Sequence, residues 1–184
     1  YLCVIYCECK KTLSTKRRKK MIKLLRLDER MIHGQVAIKW SRHLSVDRIV
    51  VANDGAASNP IIQKSLMMAA PSTCKVAIKS VDDAIKLLND PRAEALKILL
   101  IASSPKDVLK LVENVKGIPL INIGNYGRVA SKVGNEDRKA YASNLYAYPD
   151  EAETLKKIAE CGIETVYQTT PEEVAVPLQK VLGF

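Results

Sequence analysis

Short strand-like runs recur along the chain, and between them the apolar positions switch to helical spacing. The runs are Ile22–Leu27, Arg48–Ala52, Lys75–Lys79, Lys97–Ala102 and Pro119–Ile123, with shorter ones at Asn144–Tyr148 and Glu164–Gln168. Between the first two, Val36, Trp40 and Leu44 fall at i, i+4 and i+8, which predicts a helix over Gln35–Leu44 with Ala37 on the same stripe. Asn59-Pro60 has the cap grammar of a helix running to about Ala70. Ser80-Val-Asp-Asp83 and Ser104-Pro-Lys-Asp107 open two more, ending near Asn89 and Glu113. Pro149 opens a helix to Glu160, with Gly162 placed to close it. Residues 128–143 are polar and poorly periodic, and read as a long loop. Thr170-Pro-Glu-Glu173 predicts a last helix that Pro177 should distort. Strands alternating with helices predict an α/β fold: a single doubly wound, mainly parallel β-sheet with helices on both faces. The direction of the last strands is left open.

Composition narrows the class. The chain has 184 residues, 47% of them hydrophobic, enough for one domain with a full core. With one Phe and one Trp, the apolar content is mostly aliphatic, as in a sheet buried on both faces. No apolar run reaches the roughly 18 residues of a membrane span. The net charge of +9 is uneven. Residues 1–20 hold seven Lys/Arg and one Glu, a net of +6, which leaves 22 basic and 19 acidic groups, a net of +3, for residues 21–184. The division expected is therefore a disordered basic extension or non-native leader over 1–20 and one domain over 21–184. The leader is apolar first and basic last, the reverse of a secretory signal. A basic arm on anionic lipid is the rival reading. The nearly balanced remainder has no basic stripe for nucleic acid. Cys3, Cys7 and Cys9 crowd the leader, and only Cys74 and Cys161 follow, which suits a reducing cytoplasm. Cys7-Glu-Cys9 is too tight for a usual zinc pair, and no nucleotide-binding glycine motif is present. Neither a metal nor another cofactor is expected.

The candidate chemistry lies in Leu25–Val36, where a strand gives way to a charged turn and a helix start. Arg26, Asp28 and Arg30 alternate with Leu27 and Glu29, so an extended backbone puts them on one side. His33 precedes Gly34, and the amides near Gln35 and Val36 open the helix, where an anion is favoured. Two guanidiniums near an imidazole suit the handling of a phosphoryl group. Arg26 and Arg30 are the expected phosphoryl-oxygen donors, and Asp28 is expected to orient either the imidazole or an arginine. Gly34 is expected to permit close backbone approach. Other parallel strands end at Asn53-Asp54, at Ser103 and at Gly124-Asn125-Tyr126-Gly127, which are candidate site walls. The two glycines of the last segment would let N–H groups converge on an anion. The bland readings are a turn at Asn53-Asp54, a surface ion-pair ladder at Arg26–Arg30, and a dipole-favoured His43 at its helix end.

The eleven residues Arg26-Leu-Asp-Glu-Arg30-Met-Ile-His33-Gly-Gln-Val36, followed by Trp40, closely resemble the opening of enzyme IIB subunits of the mannose/fructose/sorbose family of bacterial phosphoenolpyruvate-dependent sugar phosphotransferase systems. The resemblance continues through Arg48-Ile-Val-Val-Ala-Asn-Asp54, Ala69-Ala-Pro71, Ser80-Val-Asp-Asp-Ala84, Pro105–Val112, Ile121-Asn-Ile-Gly124 and Gly162-Ile-Glu164, so it covers about 21–184. Related subunits commonly carry a second glycine where Asn125 stands, and this departure bears on sugar specificity.

The resemblance implies a protein-N(pi)-phosphohistidine–sugar phosphotransferase, the IIB component. His33 would be the phosphorylated nucleophile, charged by a phosphohistidine of the IIA subunit. It would then pass the group to a sugar reached through the membrane subunits IIC and IID. The implied location is the cytoplasm, at the inner face of the cell membrane through those partners. Which sugar is carried, which ring nitrogen reacts and whether the chain forms a homo-oligomer stay open. The alternatives are a non-catalytic anion-binding or regulatory domain of the same fold, and a hydrolase using His33 with Asp54.

Overall fold

The computed structural model describes residues 21–129 and 137–184. The first half comprises β1 (Ile22–Asp28), α1 (Gly34–His43), β2 (Arg48–Ala52), α2 (Asp54–Ser58), α3 (Pro60–Ala69), β3 (Lys75–Lys79) and α4 (Val81–Leu88). After a 3-10 turn at Pro91–Ala93 come β4 (Ile98–Ala102), α5 (Pro105–Asn114), β5 (Ile121–Asn125), β6 (Lys139–Ala142) and β7 (Leu145–Ala147). The chain closes with α6 (Pro149–Ala159), β8 (Thr165–Tyr167), β9 (Val176–Pro177) and α7 (Leu178–Leu182). The leader expected over 1–20, and part of the loop expected over 128–143, lie outside the described residues.

Seven strands form the main sheet in the order β3-β2-β4-β1-β5-β8-β9. Every pairing in it is parallel except that of β8 with β9. Alternate residues of the inner strands feed two cores. Leu24, Ile49, Val51, Leu99 and Ile101 pack with Trp40 of α1, Ala56 of α2 and Leu66 of α3. Leu25, Leu27, Val50, Leu100 and Ile123 pack with Val81 of α4, Val108 and Leu111 of α5, Leu155 of α6 and Leu178 of α7. Helices therefore cover both faces, and the inner strands read as unbroken apolar runs because neither side meets water.

This order positions the site. From β1 the chain steps outward to β2 and β3, with α1, α2 and α3 on one face. From β4 it crosses β1 to reach β5, with α4 and α5 on the other. Adjacent strands whose connections leave in opposite directions open a crevice at their carboxyl ends. That crevice lies at β1 and β4.

Three elements differ from expectation. Asn53 caps a short helix rather than closing a simple turn, its Oδ1 accepting from the Ala56 amide at 2.6 Å. Residues 139–142, expected in a loop, pair antiparallel with β7. The box at Thr170 starts no helix. Glu173 accepts from the Thr169 amide at 3.2 Å and the Thr170 hydroxyl at 3.3 Å, while Gln168 Nε2 donates to the carbonyls of Pro171 and Glu173. These side-chain bonds close a turn. Pro177 ends the short β9, and the helix begins only after it.

Candidate functional site at the end of the first strand

The chain leaves β1 through a tight reversal. The Met31 amide returns to Asp28 O at 2.9 Å, and Met31 takes a positive φ of 58°. Such a φ is unfavourable for a residue with a Cβ and persists only where the surroundings enforce it. His33 is then extended (φ −135°, ψ 103°) as the N-cap of α1, but its side chain makes no capping bond. The exposed imidazole is thus free of the usual cap role. Arg30 Nη1 lies 3.5 Å from His33 Nε2. Arg30 Nε lies 3.8 Å from Asp28 Oδ1 and is buried without a hydrogen-bond partner, the one such side-chain atom among the described residues.

Arg26 does not join this group as expected. It is 2% exposed, and both terminal nitrogens of its guanidinium are committed. Nη1 donates to Asn122 Oδ1 and to Gln168 O (3.2 Å), and Nη2 donates to Asp28 Oδ2 (2.9 Å) and Thr169 O (3.1 Å). The group also stacks 5.3 Å over the Trp40 ring. A Cβ on Gly124 would stand 2.0 Å from Arg26 Nη2, so glycine there makes room for the arginine, not for a ligand. Burial pulls the Arg26 pKa below its ordinary value, against the opposing pull of Asp28. Its expected part as a phosphoryl donor is corrected by this saturation. Trp40 Nε1 also donates to Thr169 O at 3.2 Å, so Arg26 and Trp40 together pin the segment after β8. Asp28, 1% exposed, accepts from Arg26 Nη2 with Oδ2 and from the Arg30 amide with Oδ1 (3.2 Å). Of the two expectations for Asp28, the geometry matches the support of arginine.

The helix-start residues divide. The Val36 amide already donates to His33 O at 3.1 Å, so it is not available to an anion as expected. Gly34 and Gln35 are exposed at the first turn. Gly34 has a φ of 35° and open space around an added Cβ, so its glycine serves the backbone angle and not a close approach.

At the neighbouring strand ends, Asn53 Nδ2 donates to Ser103 Oγ at 2.7 Å, joining β2 to β4. Asp54 Oδ1 accepts from the Val81 amide at 2.8 Å. Both of these strand-end candidates are therefore tied into helix starts.

Of the backbone amides of Gly124–Gly127 expected to converge on an anion, only that of Gly127 does so, joined by the next two amides, and the anion is an internal group. The carboxylate of Glu29, a residue the sequence did not single out, accepts at 3.0 Å from Asn125 Nδ2 and from the amides of Gly127, Arg128 and Val129. Gly127 has a φ of 87°, and an added Cβ would lie 2.0 Å from Tyr146 O. The signal for this contact was not local: the partners stand about a hundred residues apart in the chain.

Among the described residues no group of three or more His, Cys, Asp or Glu is placed to hold a metal. Cys74, directly before β3, donates to Val46 O at 3.5 Å, and Cys161 follows α6 before β8. Both are half-buried at strand entrances, on the edge of the sheet opposite the loop.

A family model described as the PTS system sorbose subfamily IIB component matches residues 22–184. The chain is 36% identical over 164 residues to a probable phosphotransferase enzyme IIB component of Streptococcus pyogenes serotype M6, covering 89% of this chain and all of that one. It is 30% identical to the sorbose-specific EIIB component of Lacticaseibacillus casei, covering 89% and 98%. The IIBSor domain of the sorbose permease from Klebsiella pneumoniae superposes with a TM-score of 0.79 at 25% identity, covering 88% and 95%. These comparisons correct one expectation. They support IIB phosphotransfer, but the family reading goes with a cysteine and not a histidine nucleophile, so the phosphohistidine chemistry expected at His33 is withdrawn. Fold, coverage and the match across all of 22–184 agree: the chain belongs to the sorbose-subfamily IIB components of the sugar phosphotransferase system.

Proposed function

We propose that the chain is a phosphoryl relay that receives its group from a phosphorylated IIA subunit. It delivers the group to a sugar held by the membrane subunits IIC and IID, which bring it to the cytoplasmic face of the membrane. The observation that carries this reading is the uncommitted donor set at the β1–α1 loop. The buried Arg30 Nε lacks a hydrogen-bond partner, and beside it lie an exposed imidazole and the first turn of a ten-residue helix. A phosphoryl group placed there gains a guanidinium donor and the positive end of a helix. Transfer of phosphoryl groups depends mainly on alignment and charge stabilisation, which such a set supplies. Asp28 holds Arg30 by its amide, and Arg26 holds Asp28, so these two act behind the loop rather than on the phosphoryl oxygens. No described helix is long and apolar enough to cross a membrane, which fits delivery through partner subunits. The relatives' names cover sorbose, fructose, mannose and N-acetylgalactosamine, so the sugar proposed is a hexose or an N-acetylated amino hexose.

The test is incubation of the full chain with IIA carrying radiolabelled phosphate, followed by vesicles bearing IIC and IID and a panel of these sugars. The expected result is a labelled chain that loses its label to one sugar. Mapping the labelled peptide, and its lability to acid, identifies the acceptor atom independently. A chain that stays unlabelled beside active IIA removes the reading.

One observation favours a second reading, a domain that binds an anion without passing it on. A cysteine acceptor has no described counterpart at the loop, because Cys74 and Cys161 lie at the opposite edge of the sheet and the remaining cysteines fall outside the described residues. Phosphate binding at the loop without labelling by IIA would establish this second reading.

A further inference from the structure

We propose that Glu29 is a positioning residue, a carboxylate latch that holds the site loop in register with the end of β5, and this inference rests on the phosphotransfer reading above. The latch has two halves. The Glu29 amide donates to Asn125 O at 2.9 Å, and the side chain then reaches over the same residue into a ring of donors. Oε1 accepts from Asn125 Nδ2, Arg128 N and Val129 N, and Oε2 accepts from Gly127 N, each at 3.0 Å. Successive amides pointing inward form a concavity that binds anions, and here the anion belongs to the chain. An ionised carboxylate strengthens each of these bonds beyond a neutral acceptor.

The consequence falls on the next residue. Arg30 is fixed on one side by its amide bond to Asp28 Oδ1, and on the other by peptide continuity with Glu29. Its guanidinium reaches the imidazole from a backbone clamped at both points, one residue before the positive-φ turn at Met31. Releasing the Glu29 carboxylate loosens one clamp to its backbone half, the amide bond to Asn125 O, while leaving Arg30 itself intact.

Two variants separate positioning from bulk stability. Glu29→Ala removes every acceptor. Glu29→Gln keeps a carbonyl oxygen for the three Oε1 bonds and turns an NH2 toward the Gly127 amide, so it should retain much of the latch. In the full chain, NMR signals of Arg30 Hε, the His33 ring and the 127–129 amides report the geometry. Single-turnover labelling by phosphorylated IIA reports the rate, and its concentration dependence reports donor affinity. Glu29→Ala should shift the Arg30 and His33 signals and slow the transfer step on the order of 10- to 100-fold, the scale of a small misplacement of reacting groups. Donor affinity should be unchanged, and Glu29→Gln should recover most of the rate. Unmoved Arg30 and His33 signals in Glu29→Ala would overturn the latch, as would a rate like that of the parent chain, or a loss confined to donor affinity. If the parent chain takes no label, the transfer reading has failed. The latch then stands or falls on the Arg30 and His33 signals alone.

Discussion

A buried arginine with a full set of acceptors differs in kind from an arginine waiting for a ligand, and residues 26 and 30 show the two side by side. Read as one extended run, residues 26–30 put both on the same side, which is why the sequence could not tell them apart, but β1 ends at Asp28 and Arg30 lies in the turn beyond it. What separates them is depth. Arg26 lies under α1 and the segment after β8, and Arg30 is one-third exposed at the rim. Replacing Arg26 with methionine roughly keeps volume but leaves buried Asp28 with only the longer 3.8 Å approach of Arg30 Nε, and Asn122 Oδ1 and the carbonyls of Gln168 and Thr169 each lose a donor. Breaking a buried pair from one side is expected to lower unfolding free energy by about 3–5 kcal/mol. Urea denaturation of Arg26→Met checks this. A loss under about 1 kcal/mol, the range of exposed ion pairs, would show that the network is not structural.

At the scale of elements, a second network joins the start of β6 to the start of α6. Tyr126 donates its hydroxyl to Glu151 Oε1 at 2.7 Å, and Arg138 Nε donates to Oε2 at 3.1 Å. The same carboxylate accepts from the Tyr148 amide at 2.9 Å, completing the capping box of α6. Burial pushes the Glu151 carboxyl up, but the bonds from Arg138, Tyr126 and the Tyr148 amide outweigh it and hold the group below its ordinary value. A depressed folded-state pKa contributes stability that is present above the unfolded value and lost as pH falls through the folded one. Glu151→Gln is therefore expected to lower Tm at neutral pH and to flatten the fall of Tm on acidification below about pH 4.5. Thermal melts of both proteins across that range decide it, and parallel pH profiles would refute it. Much of this element was legible beforehand: Pro149, Glu151 and the apolar spacing announce a capped helix. Strands β1 to β5 were equally plain, because burial on both faces leaves long aliphatic runs. The elements missed were those held by a pairing strand rather than by a pattern of their own. Residues 139–142 become a strand only by pairing with β7, and β9 has only two residues that gain their pattern from β8. Likewise, Gly124 and Gly127 were read as letting amides converge on an anion, whereas the fold sets Arg26 against the first and the Tyr146 backbone against the second.

At the scale of the whole molecule, the direction of the sheet sets the proposed site loop apart from the two described cysteines, Cys74 and Cys161. All strands from β1 to β5 run parallel, so their carboxyl ends share one edge and their entrances the other. The Arg30–His33 loop belongs to the first edge, and Cys74 and Cys161 to the second. A sheet strand of five residues spans about 17 Å, too far for a group at one edge to react at the other. Transfer at the loop therefore cannot pass through either of these thiols without a second docking surface for the donor. The double substitution Cys74→Ser, Cys161→Ser is expected to change the labelling rate by IIA by less than about twofold, since sites of open parallel sheets stand at the carboxyl edge. Its fold is checked by the melt, because both side chains are half-buried. Abolished labelling in a double variant that melts like the parent would place the acceptor at the entrance edge and remove the loop from the transfer step. Retained labelling would leave the acceptor either at the carboxyl edge or among Cys3, Cys7 and Cys9, a choice that the position of the labelled peptide then resolves.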